Sequence, residues 1–252
     1  MKKIRLVLLL LLGFYLAAPA GGDAKDKRIL IYTRNGSGYV HDNIEASVAA
    51  LTELCREKRI TADHRDNPSV FTPDSLKRYA AVVFSNSNNQ AFENEPQRNA
   101  FREFIRGGGG FAAIHSACAS ERDWPWYCSL VGGRFVRHPA LQKFTIRVID
   151  RSHPSTAFLG DTWAWEDECY YLDHYNPDIR ILLAADLTTI EDPDRPTYPG
   201  VVFGDLSPLA WFHEFEGSRQ FFTALGHKIE HYSDPLFRRH LIEGVLWVLK
   251  SK

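Results

Sequence analysis

The stretch GGGGFAAIHSACAS, residues 107–120, decides how the chain is read. A glycine run ends one element, and four apolar residues, FAAI, follow it. A short apolar run bounded by turn residues reads as a buried strand. The first polar residue beyond it is His115, followed by Ser116 and, two places on, Cys118. In many α/β hydrolytic folds a strand runs into such a turn to display a serine or cysteine nucleophile. Three readings are open at this point: a nucleophile site, a metal site, or only a strand end.

The segments around this stretch supply its context. RILIYTR (28–34) reads as a strand, and residues 43–58 show helical periodicity with Ile44, Val48, Leu51, Leu54 and Cys55 on one face. Asp42 is the expected cap of that helix. TADHRD (61–66) is a weaker strand, Thr72-Pro73-Asp74 opens a short helix, and AAVVFSN (80–86) is a buried strand. Pro96 to Ile105 forms an amphipathic helix that ends at the glycine run. This β-α-β-α-β-α-β order with short connections predicts an α/β fold: a parallel sheet with helices on both faces. In the second half, FTIRVID (144–150), ECYYL (168–172) and IRILLAAD (179–186) read as strands. PLAWFHEF (208–215) and RQFFTALGH (219–227) form a C-terminal β-hairpin, and residues 235–250 form a closing helix. No linker divides the chain, so residues 28–250 are expected to be one domain.

Bulk properties narrow the function. The 252 residues carry 30 Lys and Arg against 31 Asp and Glu, and 44% are hydrophobic. That is ordinary globular composition without a broad basic surface for nucleic acid. At the N-terminus, Lys2, Lys3 and Arg5 precede LVLLLLLGFYLAA and then Ala18-Pro19-Ala20. This pattern of charge, apolar run and small-residue site predicts a signal peptide over residues 1–20 and a secreted or periplasmic protein. The run falls short of the roughly 20 residues of a membrane span, so no stable span is expected after cleavage. Export leaves Cys55, Cys118, Cys128 and Cys169 open to pairing, with Cys118 and Cys128 close enough in sequence to bridge a short loop.

Ligands of an open parallel sheet bind outside the carboxyl ends of its strands. Past the first strand come Asn35, Ser37 and His41; past AAVVF come Ser85 and Asn86; past FAAI come His115 and Ser116; the hairpin runs into His227. Three histidines from separate elements therefore converge, with serine and asparagine donors between them. His138 and the acidic group Glu166-Asp167-Glu168 add to this set. Glu168 leads directly into an apolar run and is the candidate carboxylate, while Glu166 and Asp167 read as a solvated turn. Three histidines and a carboxylate suit proton transfer or a zinc-like divalent metal. Gly36-x-Gly38 lacks the third glycine of a dinucleotide fingerprint, so no nucleotide cofactor is expected.

Five motifs together resemble the trehalose-utilisation (ThuA-like) family: RNGSGYVHD (34–42), GGGGFAAIHSA (107–117), GGRFVRHP (132–139), DECYYL (167–172) and PLAWFHEFEGSRQFFTALGH (208–227). The resemblance implies a fold related to class I glutamine amidotransferases, of the flavodoxin-like kind. It also implies a role in the metabolism of sugars, particularly oxidised (3-keto) glycosides and disaccharides. His41, His115, His138, Glu168 and His227 are the positions it points to. Those amidotransferases carry a cysteine at the strand-end elbow, and here His115 takes that place, which disfavours a cysteine hydrolase. The expectation is a sugar-active enzyme with His115, His41, His227 and Glu168 as catalytic groups, all four plus His138 as candidate metal ligands, and Asn35, Ser37, Asn86, Ser116, His138 and Tyr170 as substrate contacts. A non-catalytic carbohydrate-binding or scaffolding protein and a Ser/Cys hydrolase are the alternatives.

Overall fold

The structure, a computed structural model, describes residues 27–195 and 203–250. The expected signal peptide, residues 1–20, lies outside the described residues. Among those described, no helix is long and apolar enough to cross a membrane.

The first half alternates as the sequence predicts: β1 (Arg28–Tyr32), α1 (Ile44–Glu57), β2 (Thr61–Arg65), α2 (Pro73–Leu76), β3 (Ala81–Ser85), α3 (Glu95–Arg106) and β4 (Gly110–Ile114). After a 3-10 turn at His115–Ala119 come α4 (Pro125–Val131), β5 (Arg134–Arg137), β6 (Gln142–Val148), β7 (Thr162–Asp167), β8 (Tyr171–Asp173) and β9 (Arg180–Asp186). β10 (Leu206–Phe215), β11 (Ser218–Thr223) and α5 (Pro235–Val248) complete the chain.

Among the described residues nine strands form one sheet in the order β2-β1-β3-β4-β11-β10-β9-β6-β7, and β5 pairs with β8 in a separate ribbon. β2, β1, β3, β4 and β11 run parallel, whereas β10, β9, β6 and β7 alternate antiparallel. The sheet is therefore parallel on one side and antiparallel on the other. β3 and β4 are buried at every residue, as strands covered on both faces must be.

One face carries Phe84 and Phe111, which pack on Phe101 of α3 with ring centroids 5.4 and 5.5 Å apart. The opposite face carries Phe221 against α5, so closely that a Cβ on Gly244 would lie 2.4 Å from its ring. Helices begin where side chains satisfy free amides: Asn94 accepts from Gln97 N ahead of α3, and Asp234 accepts from Phe237 N ahead of α5.

Four sequence expectations change. Asn43, not Asp42, stands at the cap position of α1, and its side chain makes no capping bond there. ECYYL is not one strand, because β7 ends at Asp167 and β8 begins at Tyr171. Asp167 is not in a solvated turn: it is fully buried. Cys118 and Cys128 do not pair, and all four cysteines are free and buried.

Candidate functional site

Five side chains meet above the carboxyl ends of the parallel strands. His41 arrives on the loop after β1, His115 directly after β4 and His227 four residues after β11. Glu168 and Tyr170 lie on the link between β7 and β8. β7 ends on the same side of the sheet as β4 and β11, because three antiparallel reversals separate it from β10.

His115 is the centre. Its φ of +52° is left-handed, a conformation costly for a residue with a Cβ. This is the sharp strand-to-turn elbow expected from the opening stretch, and it throws the imidazole into the cleft. Nδ1 donates to the Ala224 carbonyl at 2.7 Å, which leaves Nε2 of the neutral ring as an acceptor. Four polar groups crowd that one nitrogen: Tyr170 Oη at 2.8 Å, His41 Nε2 at 3.2 Å, His227 Nδ1 at 3.3 Å and Glu168 Oε2 at 3.8 Å. His227 Nδ1 is also 3.2 Å from Glu168 Oε2.

One lone pair cannot serve four partners, so this cluster is shaped to share a cation or a proton. Tetrahedral zinc with bonds near 2.05 Å places its ligand atoms about 3.3–3.4 Å apart. Three of the observed edges, 3.2, 3.3 and 3.2 Å, match that spacing; His115 to Glu168 is wider at 3.8 Å, and ligand atoms of His41, His115, Glu168 and His227 all lie within 4.8 Å of one another. The backbone carbonyl behind His115 is the kind of outer partner that fixes a ligand's tautomer. These four residues could hold a metal.

Electrostatics divide the cluster. Burial lowers His41 to about 4, helped by the His227 charge, and burial likewise drives His115 well below the ordinary imidazole range. His227 moves up, chiefly through its hydrogen bond with Glu168. Burial alone would raise Glu168, but the His227 bond and the His138 and His227 charges outweigh it and hold the carboxyl low. Burial keeps the Tyr170 phenol protonated far above its usual range. Two neutral imidazoles therefore face an imidazole–carboxylate pair, with a phenol O–H among them.

The other expected residues fall at varied distances. His138 Nδ1 donates to the Pro139 carbonyl at 2.8 Å, and its Nε2 is 3.5 Å from Glu168 Oε1. It therefore backs the carboxylate and stands outside the four-residue group. Ser116 Oγ lies 3.3 Å from His41 Nδ1. Asn35 donates to the Thr33 carbonyl and Ser37 is exposed on the loop before His41. Asn86 is fully buried beneath the site, its amide bonded to Ser85, Tyr232 and Asn43. Both its amide hydrogens and one acceptor position are thus spent inside the fold, as a strut beneath the site. Cys118 is bonded to the His115 carbonyl, and burial pushes its thiol up.

Two supporting residues have no single-residue signal in the sequence. Asn43 Nδ2 reaches the Gly226 and His227 carbonyls at 2.7 and 2.6 Å and Asn86 Oδ1 at 3.1 Å, tying the His41 loop to the His227 loop. Asp167 accepts from Trp165 Nε1, Glu168 N and Gly226 N, so one buried carboxylate anchors the backbone beside both Glu168 and His227. Burial raises it to about 6 against those bonds. The alternation Trp163, Trp165, Asp167 could have revealed it, since period two puts the carboxyl on the face of two indoles.

Known proteins agree with this architecture. A family described as ThuA, trehalose utilisation, matches residues 28–248. A ThuA-like protein from Bacteroides uniformis is 22% identical with a TM-score of 0.71, over 92% of this chain and 95% of that one. Another from Parabacteroides merdae is 20% identical with a TM-score of 0.69, over 90% and 91%. A cytoplasmic protein from Salmonella typhimurium shares the fold at 12% identity, TM-score 0.61, over 87% and 98%. No curated protein matches the sequence. Because that family match spans every element from β1 to α5, the chain belongs to the trehalose-utilisation (ThuA) family.

Proposed function

We propose that this chain is an exported carbohydrate-processing enzyme that moves protons at the carbon beside a sugar carbonyl, as in 3-keto glycosides and disaccharides. Family membership ties it to carbohydrate utilisation. The observation that carries the chemistry is the crowding of His41, His227, Glu168 and Tyr170 around His115 Nε2.

Carbon acids next to a carbonyl need a base that is neutral at working pH and a donor for the oxygen that gains charge. His41 and His115, held neutral by burial, offer lone pairs. Tyr170 keeps its proton and can donate it in a hydrogen bond to the sugar oxygen. The His227–Glu168 pair takes or returns a proton on the solvent side, where both residues are partly exposed. A divalent cation such as zinc, held by His41, His115, His227 and Glu168, would take up those same lone pairs and would supply Lewis acidity to the carbonyl oxygen in place of their base role. The Ser/Cys hydrolase reading has one supporting contact, Ser116 Oγ to His41 Nδ1, but Ser116 is almost completely buried and His115 occupies the elbow.

The test is solvent deuterium exchange into 3-keto glycosides, followed by NMR on protein of measured metal content. Exchange at the carbons flanking the carbonyl, lost in His115→Ala and Glu168→Gln and kept in Ser116→Ala, is the expected result. Tight sugar binding without exchange or turnover under any metal loading would make the chain a binding protein. Loss of turnover in Ser116→Ala alone would favour the hydrolase.

A further inference from the structure

The loop that delivers His41 also carries the most exposed apolar pair of the fold. Among the described residues, Tyr39 is 60% exposed and Val40 57%, while His41, next in the chain, is buried. The other exposed large hydrophobics, such as Leu141, Ile149 and Leu236, stand singly and are less than half exposed. A lone side chain of that kind is ordinary surface. Two in succession beside a buried imidazole of the cluster are not.

This loop is no loose tip. Gly36 N donates to the Asn88 carbonyl at 2.9 Å, Asn88 N to the Arg34 carbonyl at 3.3 Å, and Asn88 Nδ2 to the Tyr39 carbonyl at 3.2 Å. A Cβ on Gly36 would lie 2.5 Å from Gln90 N, and one on Gly38 would lie 2.7 Å from Asn89 Nδ2. The Gly36-x-Gly38 pair, which makes no dinucleotide fingerprint, therefore lets the loop lie flat on the Asn88–Gln90 turn. The backbone of Tyr39 is fixed before any ligand arrives, and a group held in advance loses little freedom on binding.

The ring itself keeps an open face. Its one ring neighbour among the described residues is His41, met edge-on at 4.8 Å and 86°. The aromatic ring inside the cluster, Tyr170, is buried and hemmed in by His115, Phe135 and His138 at 4.5, 4.6 and 5.7 Å. Trp163 and Trp165, close in sequence to Glu168, are buried as well. A pyranose presents a face of C–H groups that packs on an open aromatic ring, with its hydroxyls around the edge. The Tyr39 phenol and Ser37, exposed on the same loop, offer partners for those hydroxyls.

Position decides which sugar unit this is. His41 Nε2 lies 3.2 Å from His115 Nε2, so only the width of the His41 imidazole separates Tyr39 from the cluster. A sugar reacting at the cluster brings the unit joined to it to Tyr39. We infer that Tyr39 is the platform for that second unit, and that the site takes disaccharides in preference to glycosides of a small alcohol. The inference rests on the carbohydrate reading of the cluster.

Trehalose and methyl α-glucoside, which lack the reactive carbonyl, test the platform without turnover, by calorimetry and saturation-transfer NMR. The expected result is tighter binding of trehalose, an advantage that falls roughly 3–10-fold in Tyr39→Ala and persists in Tyr39→Phe and Tyr39→Trp. With the corresponding 3-keto sugars, Tyr39→Ala should raise KM for the disaccharide by that factor while kcat holds, and KM for the methyl glycoside should move far less. Trehalose bound through Tyr39 without any proton exchange would sink the proposed chemistry and support the platform. A preference that survives in Tyr39→Ala overturns the inference, as does a parent protein that binds trehalose no better than methyl α-glucoside or binds neither. An equal loss for both sugars, or a fall in kcat, would make Tyr39 a brace for His41 and overturns it too. A Tyr39→Ala protein changed only in its sedimentation would instead make the Tyr39-Val40 pair a contact between copies of the chain, against the sugar assignment.

Discussion

Asn43 and Tyr170 act on the cluster in different ways, and single substitutions separate them. Asn43 touches no expected ligand side chain; it holds the carbonyls of Gly226 and His227 and the turn at Asn86, whose φ is +54°. Asn43→Ala leaves those buried carbonyls short of a donor, and a loss of about 2–4 kcal/mol of stability is expected. Metal affinity should also drop, by roughly 10–100-fold, as when outer partners of ligands are removed. Urea denaturation and competitive chelation measure the two effects; unchanged affinity would mean that the His41 and His227 loops hold their positions without the clasp. Tyr170→Phe keeps the ring tilted against His115, 4.5 Å between centroids, and removes only the hydroxyl. Turnover is expected to fall about 100–1000-fold with metal stoichiometry intact, the range for one lost donor to developing charge. Full activity in Tyr170→Phe would remove the phenol from the mechanism.

At the scale of elements, α5 keeps a glycine in its interior for a reason that packing supplies. Alanine at 244 would gain about 1 kcal/mol of helix propensity. Its Cβ, however, would sit 2.4–2.6 Å from three carbons of the Phe221 ring. Overpacking of that kind costs about 1–3 kcal/mol, so Gly244→Ala should lower stability despite the better helix former. A raised melting temperature would show that α5 can slide outward on the sheet. The same contrast between local and tertiary signals explains which elements were legible in the sequence. β1 to β4 and α1 to α3 each carry their own period, cap or glycine stop, and the structure has them where the sequence puts them. β5, β7 and α4 carry no such mark because their order comes from neighbours: Arg134 pairs with Asp173 across the ribbon, and Phe144 faces Trp165 across β6 and β7. The histidines were legible because each stands just past a strand that periodicity could place. Asn43 was not, since what marks it is whom it bonds, which only the folded chain defines; Asp167 was legible only through its place in the alternation with Trp163 and Trp165.

At the scale of the whole molecule, buried histidines far from the cluster set a pH response. Burial lowers His153, His213 and His240 to about 4 each, from 6.5. Unfolded, the three take protons below about 6.5; folded, only near 4. Between those values the unfolded state binds more protons, so stability decreases as pH falls through that window. Each full shift is worth on the order of 3 kcal/mol, comparable in sum to the whole stability of an ordinary domain. Urea midpoints should therefore decline steadily from pH 6.5 to 4, with proton uptake on unfolding in that range. A flat profile would mean that these rings become charged without leaving the core.

The four unpaired thiols turn the core into its own clock. Burial pushes Cys55 up to about 12 and Cys128 to about 11, and drives Cys118 and Cys169 higher still. Since only a thiolate attacks an alkylating reagent, none reacts while the fold stays shut. Cys55 lies on α1, Cys118 beneath the elbow, Cys128 on α4 and Cys169 between Glu168 and Tyr170. Mass spectra of chains held in iodoacetamide would then time the opening of each region separately. If Cys169 gains its label before Cys55, the carboxylate link breathes on its own; if all four gain it together, the cluster opens only when the entire molecule does.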